Sequence, residues 1–342
     1  MDPILTGTLK PKSLAVIGAS SSPEKIGYKV VEGLIVSGYE GAIYPINPKD
    51  PEILGRKAYA SVKDVPYVVD AAVITVPAKF VHNVVRECGE KGVKGMIIIT
   101  SGFGEVGDHE TEDAIVATAK EFGMRILGPN IIGVISNSDK MNASFAPFLP
   151  FAGKASLVSQ SGALLIALDA ASYSRGVGFD KMVSIGNMSD IDFADLIAYL
   201  SEDDNTSCIT FYIEGLKNGR RFMEEALKCD KPIVALKSGV SAHGAAAAAS
   251  HTGSLAGSSK IYEAAFKQCG VSSATDLNDL FDRTQALSLQ PSMKGDNILV
   301  ITNGGGVGVL ATDAAEKVGL PLHFAPQDVQ EELKKHMPEF GS

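Results

Sequence analysis

The sequence has few cysteines and no long apolar segment. The four cysteines (Cys88, Cys208, Cys229 and Cys269) lie far apart, with no CxxC pair and no spacing typical of a metal site. We therefore expect reduced, buried thiols, no bound metal and a cytoplasmic location. The longest apolar runs, such as Met96–Ile99 and Ala163–Leu168, are too short to span a membrane, and the first residues do not resemble a signal peptide.

An excess of positive charge is also missing. The chain has 31 basic and 40 acidic residues, a net charge of −9, without long blocks of one sign. This balance argues against a general nucleic-acid binder and against a protein that binds anionic membranes. Any polyanionic ligand must be held by local groups, such as helix N-termini and single lysines.

The chain has 342 residues, of which 45% are hydrophobic and 35 are glycines. This length and composition indicate a globular α/β protein of two or three domains. Short β-rich runs alternate with amphipathic stretches, which predicts parallel sheets with helices on both faces. The first series of predicted strands is Leu14–Gly18, Ala42–Ile46, Ala71–Val76, Met96–Thr100 and Arg125–Leu127. The second series is Ala155–Ser159, Met182–Gly186, Cys208–Ile213 and Pro232–Lys237.

The pattern lapses over Asn142–Gly153, which predicts a loop at a domain junction. A third series of predicted elements follows a polar stretch. It consists of a strand at Asn297–Asn303, a helix near Val307–Val318 and a charged helix from Pro326. Such a short unit cannot bury a core of its own, so either the chain is cut inside a domain, which we favour, or the unit packs on something else. We therefore expect domains at 1–142 and 143–290 and the beginning of a truncated domain at 291–342.

Glycine-rich and polar turns follow several predicted strands. Gly18, Ser20 and Lys25 lie in the first of them, where a helix start could bind phosphate. The turn is not a GxGxxG, and a tight turn without a ligand is the alternative. The second strand is followed by Asn47 and Lys49 instead of the acid expected for NAD. A lysine there suits a ligand with a phosphate on its ribose, such as NADP or coenzyme A.

The carboxyl ends of the remaining strands carry similar turns, and open α/β sheets bind ligands at that edge. The first part of the chain contributes Val76, Pro77, Ser101, Gly102 and Asn130. Two further strand–turn–helix units contain Ser161-Gly162 and Gly305-Gly306. Each unit suits an anion at a helix N-terminus, unless its glycines serve only close packing.

A long segment rich in Gly, Ala, Ser and His runs from Ser238 to Gly257 and contains His243 and His251. Segments of this kind often carry function, and an imidazole can act as a base or as a covalent phosphoryl carrier. No ligand at metal spacing accompanies His251, whereas Glu214, at the end of an apolar strand, is the best-placed carboxylate to orient an imidazole. A solvated loop histidine is the alternative, and it suits His243 better.

Together these motifs resemble the NDP-forming acyl-CoA synthetases, relatives of the α subunit of succinyl-CoA synthetase. The resemblance covers essentially the whole chain and rests on the order and spacing of the following motifs: Val16–Ser20 with Lys25 and Gly27, Ile46–Lys49, Ser159–Gly162, Ser250–Gly253 with Leu255–Gly257, and Asn303–Gly308. It implies a Rossmann-like CoA-binding domain followed by flavodoxin-like CoA-ligase domains, the last of them incomplete.

The resemblance also implies a reversible reaction of acyl-CoA, ADP and phosphate to acid, CoA and ATP, through an acyl phosphate and a phosphohistidine at His251. Glu214 would orient that histidine, and Ser161-Gly162 and Gly305-Gly306 would hold its phosphoryl group. The first-domain turn residues would bind CoA. An ATP-grasp half with Mg²⁺ and ADP or ATP would lie on a second subunit or a fused continuation, and an oligomer is expected.

Two other functions compete with this one. A non-catalytic CoA sensor, such as the regulatory part of a protein acetyltransferase, has similar domains but tends to lack the histidine. An NADP-dependent oxidoreductase would suit Lys49 but not the degenerate first glycine turn. The sequence does not identify the acid, although a short-chain carboxylic acid is expected.

Overall fold

In the computed structural model the described residues are 2–241, 243–244, 259–291, 293, 295, 298–320 and 322–338. They form two compact units, Met1–Gln290 and Pro291–Ser342. Most of the motifs described above lie in the first unit, but the segment around His251 lies outside the described residues.

The first unit opens with a parallel sheet. Its strands are β1 (Ser13–Ile17), β2 (Ala42–Ile46), β5 (Ala71–Ile74), β6 (Gly95–Ile98) and β7 (Arg125–Leu127), and a small antiparallel pair, β3 (Glu52–Ile53) with β4 (Arg56–Lys57), follows β2. The spatial order is β2-β1-β5-β6-β7. Every residue of β1, β5 and β6 is buried, as expected for parallel strands covered on both faces. The five predicted strands are confirmed.

Four helices accompany this sheet: α1 (Pro3–Leu9), α2 (Ile26–Val36), α3 (Ala78–Lys91) and α4 (His109–Glu121). The chain runs from β1 to β2 on one side and then returns to β5 on the other side of β1. The connections from β1 to β2 and from β2 to β5 thus run in opposite directions across the sheet, and the turns after β1 and β5 lie beside the point of reversal. Open α/β sheets bind ligands in the crevice at such a point.

A larger sheet follows in the same unit. Its strands are β8 (Gly133–Ser136), β9 (Met141–Ser144), β10 (Ala152–Ser159), β11 (Phe179–Ser184), β12 (Cys208–Ile213), β13 (Ile233–Lys237) and β14 (Ser272–Ala274), in the order β14-β13-β12-β10-β11-β8-β9. The described helices are α5 (Gly162–Arg175), α6 (Phe193–Glu202), α7 (Gly219–Lys228), α8 (Ser259–Gln268) and α9 (Leu277–Leu289). Strands β10 to β14 pair in parallel, which confirms the prediction for β10 to β13, whereas β14 was not predicted.

The prediction of a loop from Asn142 to Gly153 is wrong at both ends, because β9 continues to Ser144 and β10 starts at Ala152. β8 pairs antiparallel with β11, and β9 pairs antiparallel with β8 at the sheet edge. The Met-Asn-Ala-Ser sequence of β9 lacks an apolar run, and its strand conformation depends on the neighbouring strand.

Contacts between the two sheets fix their relative position within the first unit. The Arg125 guanidinium, at the start of β7, lies 2.9 Å from a carboxylate oxygen of Asp190 and 3.1 Å from one of Asp195. One continuous apolar cluster contains Val16 of the first sheet and Phe211 of the second. The turns at the ends of both sheets are therefore held in a fixed arrangement.

The second unit contains helices α10 (Gly305–Lys317) and α11 (Gln327–Lys334), close to the predicted helices. The predicted strand at Asn297–Asn303 appears only as an isolated parallel bridge between Ile298 and Leu322 among the described residues.

Asp169, on α5, is fully buried, and neither of its carboxylate oxygens has a hydrogen-bond partner in the described structure. Burial raises the pKa of this carboxyl group from 3.8 to about 7. The unfolded chain therefore loses this proton at a lower pH than the folded protein does. As a result, the free energy of unfolding falls as the pH rises from 3.8 to about 7.

We expect Asp169→Asn to weaken this pH dependence. The amide is similar in size and cannot ionise, so the variant should gain stability relative to the wild type between pH 5 and pH 7, by on the order of 2–3 kcal/mol in all. Denaturant unfolding of both proteins at pH 5, 6, 7 and 8 measures the difference. Equal pH slopes would show that Asp169 does not titrate in this range.

Candidate active site

A cleft of about 1290 Å³ lies at the carboxyl ends of strands from both sheets of the first unit. It brings together most of the residues that the sequence predicted for ligand binding. The predicted residues that line it are Gly18, Ser20, Lys25, Asn47, Lys49, Val76, Pro77, Ser101, Asn130, Ser161 and Gly162. Gly102 and Glu214 are not among the lining residues.

The turn after β1 is shaped by two glycines. Gly18 has a φ of 92°, a left-handed conformation that favours glycine. Gly27, in the first turn of α2, packs so tightly that a Cβ atom there would lie 2.0 Å from the Gly18 carbonyl oxygen. No side chain caps the start of α2, at Lys25, so its first backbone N–H groups are available to an anion in the cleft.

Asn47 joins the turn after β2 to the turn after β1. Its side-chain amide donates to the Ala19 carbonyl over 2.8 Å, and its side-chain oxygen accepts from the Lys49 N–H over 2.8 Å. The structure thus shows a positioning contact that the sequence analysis did not foresee. Lys25 and Lys49 are exposed, and neither forms an ion pair with another described residue. Their charges are therefore available to an anionic ligand.

Asn130 follows a cis peptide bond between Gly128 and Pro129 and has a φ of 62°. Its amide donates to the side-chain oxygen of Asn187 over 3.3 Å. Gly102 also has a left-handed φ, of 107°, and its N–H donates to the Glu105 carboxylate. Asn130 therefore reaches the cleft, whereas Gly102 shapes the turn beside it.

The second sheet contributes the start of α5 to the cleft. The Ser161 hydroxyl caps this helix by accepting from the Leu164 N–H over 3.3 Å. A Cβ atom at Gly162 would lie 2.6 Å from a side-chain carbon of Ile132, so glycine is required for this close approach. Two helix N-termini, those of α2 and α5, thus open onto one cleft.

Gln160 links this turn to the end of β12. Its side-chain oxygen accepts from the N–H groups of Glu214, over 2.6 Å, and Gly215, over 2.9 Å. Glu214 is 9% exposed. The sequence contained Gln160 in its SQSG motif but gave no signal for this contact, because the two residues are distant along the chain.

The structure does not describe the position of His251, and its predicted contact with Glu214 stays a prediction. Gly305 and Gly306 form the first turn of α10 in the second unit, and their predicted phosphate-binding role also stays a prediction. Cys88, Cys208 and Cys269 are buried free thiols, whereas Cys229 is half-buried.

Within the described parts of the chain, no group of three or more His, Cys, Asp or Glu residues is placed to hold a metal ion. No described helix has the length and apolar character needed to cross a membrane.

One parallel and one mainly parallel α/β sheet, with helix N-termini at one large cleft, define a class of proteins that bind phosphorylated ligands. Residues 12–137 match the family model of a CoA binding domain, and residues 152–287 match that of a succinyl-CoA ligase like flavodoxin domain.

The individual relatives are more specific. The chain is 53% identical to the alpha subunit of ADP-forming acetate–CoA ligase I of Pyrococcus furiosus, over 99% of this chain and 75% of that subunit. It is 46% identical to the ADP-forming acetate–CoA ligase of Methanocaldococcus jannaschii, over 96% of this chain but 46% of that protein. A solved structure of the dinucleotide-forming acetyl-coenzyme A synthetase 1 of Ca. Korarchaeum cryptofilum, in complex with phosphate and ADP, superposes with a TM-score of 0.94 at 44% identity, over 99% of this chain and 74% of that one.

The chain therefore belongs to the family of ADP-forming acid–CoA ligases, and it is similar to their alpha subunits. The resemblance and the fold class inferred from the sequence are both confirmed.

Proposed function

We propose that this chain is the CoA-binding and phosphoryl-carrying half of an ADP-forming acyl-CoA synthetase that interconverts acyl-CoA, ADP and phosphate with acid, CoA and ATP. The observation that carries the proposal is the shared cleft, onto which the N-termini of α2 and α5 both open. One helix start would hold the CoA diphosphate and the other the attacking phosphate.

The CoA site would use Ser20 and Lys25 near the diphosphate and Asn47 and Lys49 near the adenosine end. The chain is acidic overall, so these two exposed lysines would supply the local positive charge. The cleft volume of about 1290 Å³ exceeds the ~300–1,000 Å³ typical of pockets for drug-sized ligands and suits an extended ligand such as CoA.

The chemistry on this chain would proceed in two displacements, and in a third an oxygen of ADP on the nucleotide half would attack the phosphorus as the N–P bond breaks, which gives ATP. A phosphate oxygen attacks the thioester carbonyl carbon, the C–S bond breaks and CoA leaves as the thiolate, which gives an acyl phosphate. A nitrogen of His251 then attacks phosphorus, and the P–O bond to the acyl group breaks with release of the carboxylate. Glu214 would orient the imidazole by accepting its other N–H. Phosphoryl transfer of this kind depends mainly on positioning and on charge stabilisation.

The nucleotide half would be an ATP-grasp subunit or a fused domain that binds Mg²⁺ with ADP or ATP. Acetate or another short-chain acid is the substrate that fits the relatives, whose names include acetate–CoA ligases and a 4-hydroxybutyrate–CoA ligase. An oligomer is expected for this architecture. Free cysteines fit a reducing compartment, the cytoplasm.

Labelling of the chain with radioactive phosphate in the presence of acetyl-CoA tests the proposal. We expect a label that is stable in base and labile in acid, together with calorimetric binding of CoA. The assay is repeated with a nucleotide-binding subunit added. CoA binding without label in both arms would contradict the ligase and favour a CoA sensor, whereas absence of CoA binding would contradict both.

A further inference from the structure

Lys237 is a buried lysine at the end of β13, with a residue exposure of 7%. Its ammonium donates to the carbonyl of Ser238 and lies 4.8 Å from the centre of the Tyr262 ring. It forms no ion pair with a carboxylate in the described part of the chain. Burial lowers the pKa of Lys237, and the charge of Glu214 raises it in part.

A buried ammonium with so few partners among the described residues requires an explanation. The group has three N–H donors, and a single carbonyl oxygen and one ring face satisfy only part of this capacity. Burying a charge without full compensation costs free energy, so an apolar residue would serve the fold better here. An anion that arrives during the reaction would supply the missing partner.

The sheet order places Lys237 beside the groups already described. Its strand pairs with β12 in a register that sets Lys237 opposite Ile213, the residue before Glu214. Beyond β12 lies β10, whose end carries Gln160 and Ser161. The Gln160 side chain in turn holds the backbone N–H groups of Glu214 and Gly215. Lys237, Glu214 and Gln160 therefore follow one another along the carboxyl edge of three neighbouring strands.

We propose that Lys237 binds the oxygens of the phosphoryl group that is transferred at this edge. The inference rests on the proposed function and adds a cation to its phosphate site. In the transfer step, an N–P bond forms as the P–O bond to the acyl group breaks and the electron pair leaves with the carboxylate. The phosphoryl oxygens remain negatively charged close to the Glu214 carboxylate. A lysine ammonium on the same edge offsets that repulsion, as cationic clamps do for other phosphoryl groups.

Lys237→Met, Lys237→Arg and Lys231→Met provide the test. Lys231 is a matched control because it lies before β13, at the opposite end of the strand, and its ammonium donates to two carbonyl oxygens, those of Leu200 and Asp203. Burial lowers the pKa of Lys231 as it does that of Lys237. Lys231→Met therefore reports the cost of losing a partly buried ammonium away from the site.

We expect Lys237→Met to reduce the rate of phosphate labelling about 100-fold or more, the loss typical when one stabilising charge or donor is removed from a transition state. The phosphate concentration for half-maximal labelling should rise about tenfold. The affinity for CoA should stay within about twofold of the wild type, because the residues proposed to bind CoA lie in the turns of the first sheet, whereas Lys237 ends β13 of the second. Lys237→Arg should recover part of the rate, and Lys231→Met should label like the wild type.

A second measurement, the rise in melting temperature on addition of inorganic phosphate, needs no turnover. The rise should be lost in Lys237→Met and kept in Lys231→Met. Equal labelling and an equal phosphate-induced rise in the wild type and in folded Lys237→Met would overturn the role of Lys237. A rise that depends on Lys237 in a chain that never becomes labelled would instead contradict the proposed reaction and leave the anion site supported. If Lys237→Met does not fold, the same two readouts are taken on Lys237→Gln.

Discussion

Replacement of His251 by alanine is expected to abolish phosphate labelling of the chain, to less than about 1% of the wild-type level, because alanine has no nucleophile to accept the phosphoryl group. CoA binding should remain within about twofold of the wild type, since the described residues that line the cleft all lie before this segment in the sequence. Labelling with acetyl-CoA and radioactive phosphate, beside calorimetry with CoA, measures both quantities.

His243→Ala is the matched control. His243 lies in the same segment rich in alanine and glycine, and it is exposed. The His243→Ala variant should be labelled by radioactive phosphate to the same level as the wild type. A label that survives in His251→Ala and disappears in His243→Ala would assign the phosphoryl carrier to the other histidine. A label that survives both changes, or that is stable in acid, would exclude a phosphohistidine in this segment.

Gly27→Ala is expected to abolish CoA binding. The added Cβ atom would lie 2.0 Å from the carbonyl oxygen of Gly18 and 2.7 Å from its carbonyl carbon. Both are backbone atoms, so the turn after β1 and the start of α2 must move apart and the anion site at this helix N-terminus is lost. We expect CoA affinity to fall at least 100-fold and the protein to lose about 1–3 kcal/mol of stability, the usual cost of overpacking.

Gly219→Ala controls for the introduction of a methyl group at a helix start. Gly219 is the first residue of α7, and a Cβ atom there would meet nothing within 4 Å. Calorimetric titration with CoA and thermal unfolding of both variants give the comparison. If Gly27→Ala bound CoA as tightly as Gly219→Ala, the N-terminus of α2 would not be part of the CoA site.

The shared cleft explains why a chain with a net charge of −9 can belong to a family of CoA ligases. Its positive groups are few, but they lie where two helix N-termini already favour an anion. The arrangement needs no basic surface. In the proposed site, Lys25 and Lys49 would supply positive charge at the first helix start, and Lys237 would supply it on the edge that carries the second.

The outcome for individual elements shows what kind of information the sequence carries. β1, β5 and β6 were predictable because a parallel strand buried on both faces is a continuous apolar run. β9 was not, because its polar residues become a strand only beside β8. Lys237 gave no signal either, since a lysine that ends an apolar strand in a sequence reads as a solvated residue. Its burial depends on Tyr262, which is distant along the chain.

The sequence by itself determined the alternation of strands and helices, the glycine turns at the strand ends and the family to which the chain belongs. These properties depend on the periodicity and spacing of residues close together along the chain. The tertiary structure alone decided which turns share the cleft, that Gln160 holds the backbone at Glu214, and that Lys237 is buried beside it. The physical reason is that such contacts join residues far apart in sequence, and the order of the strands, which local patterns do not encode, brings them together.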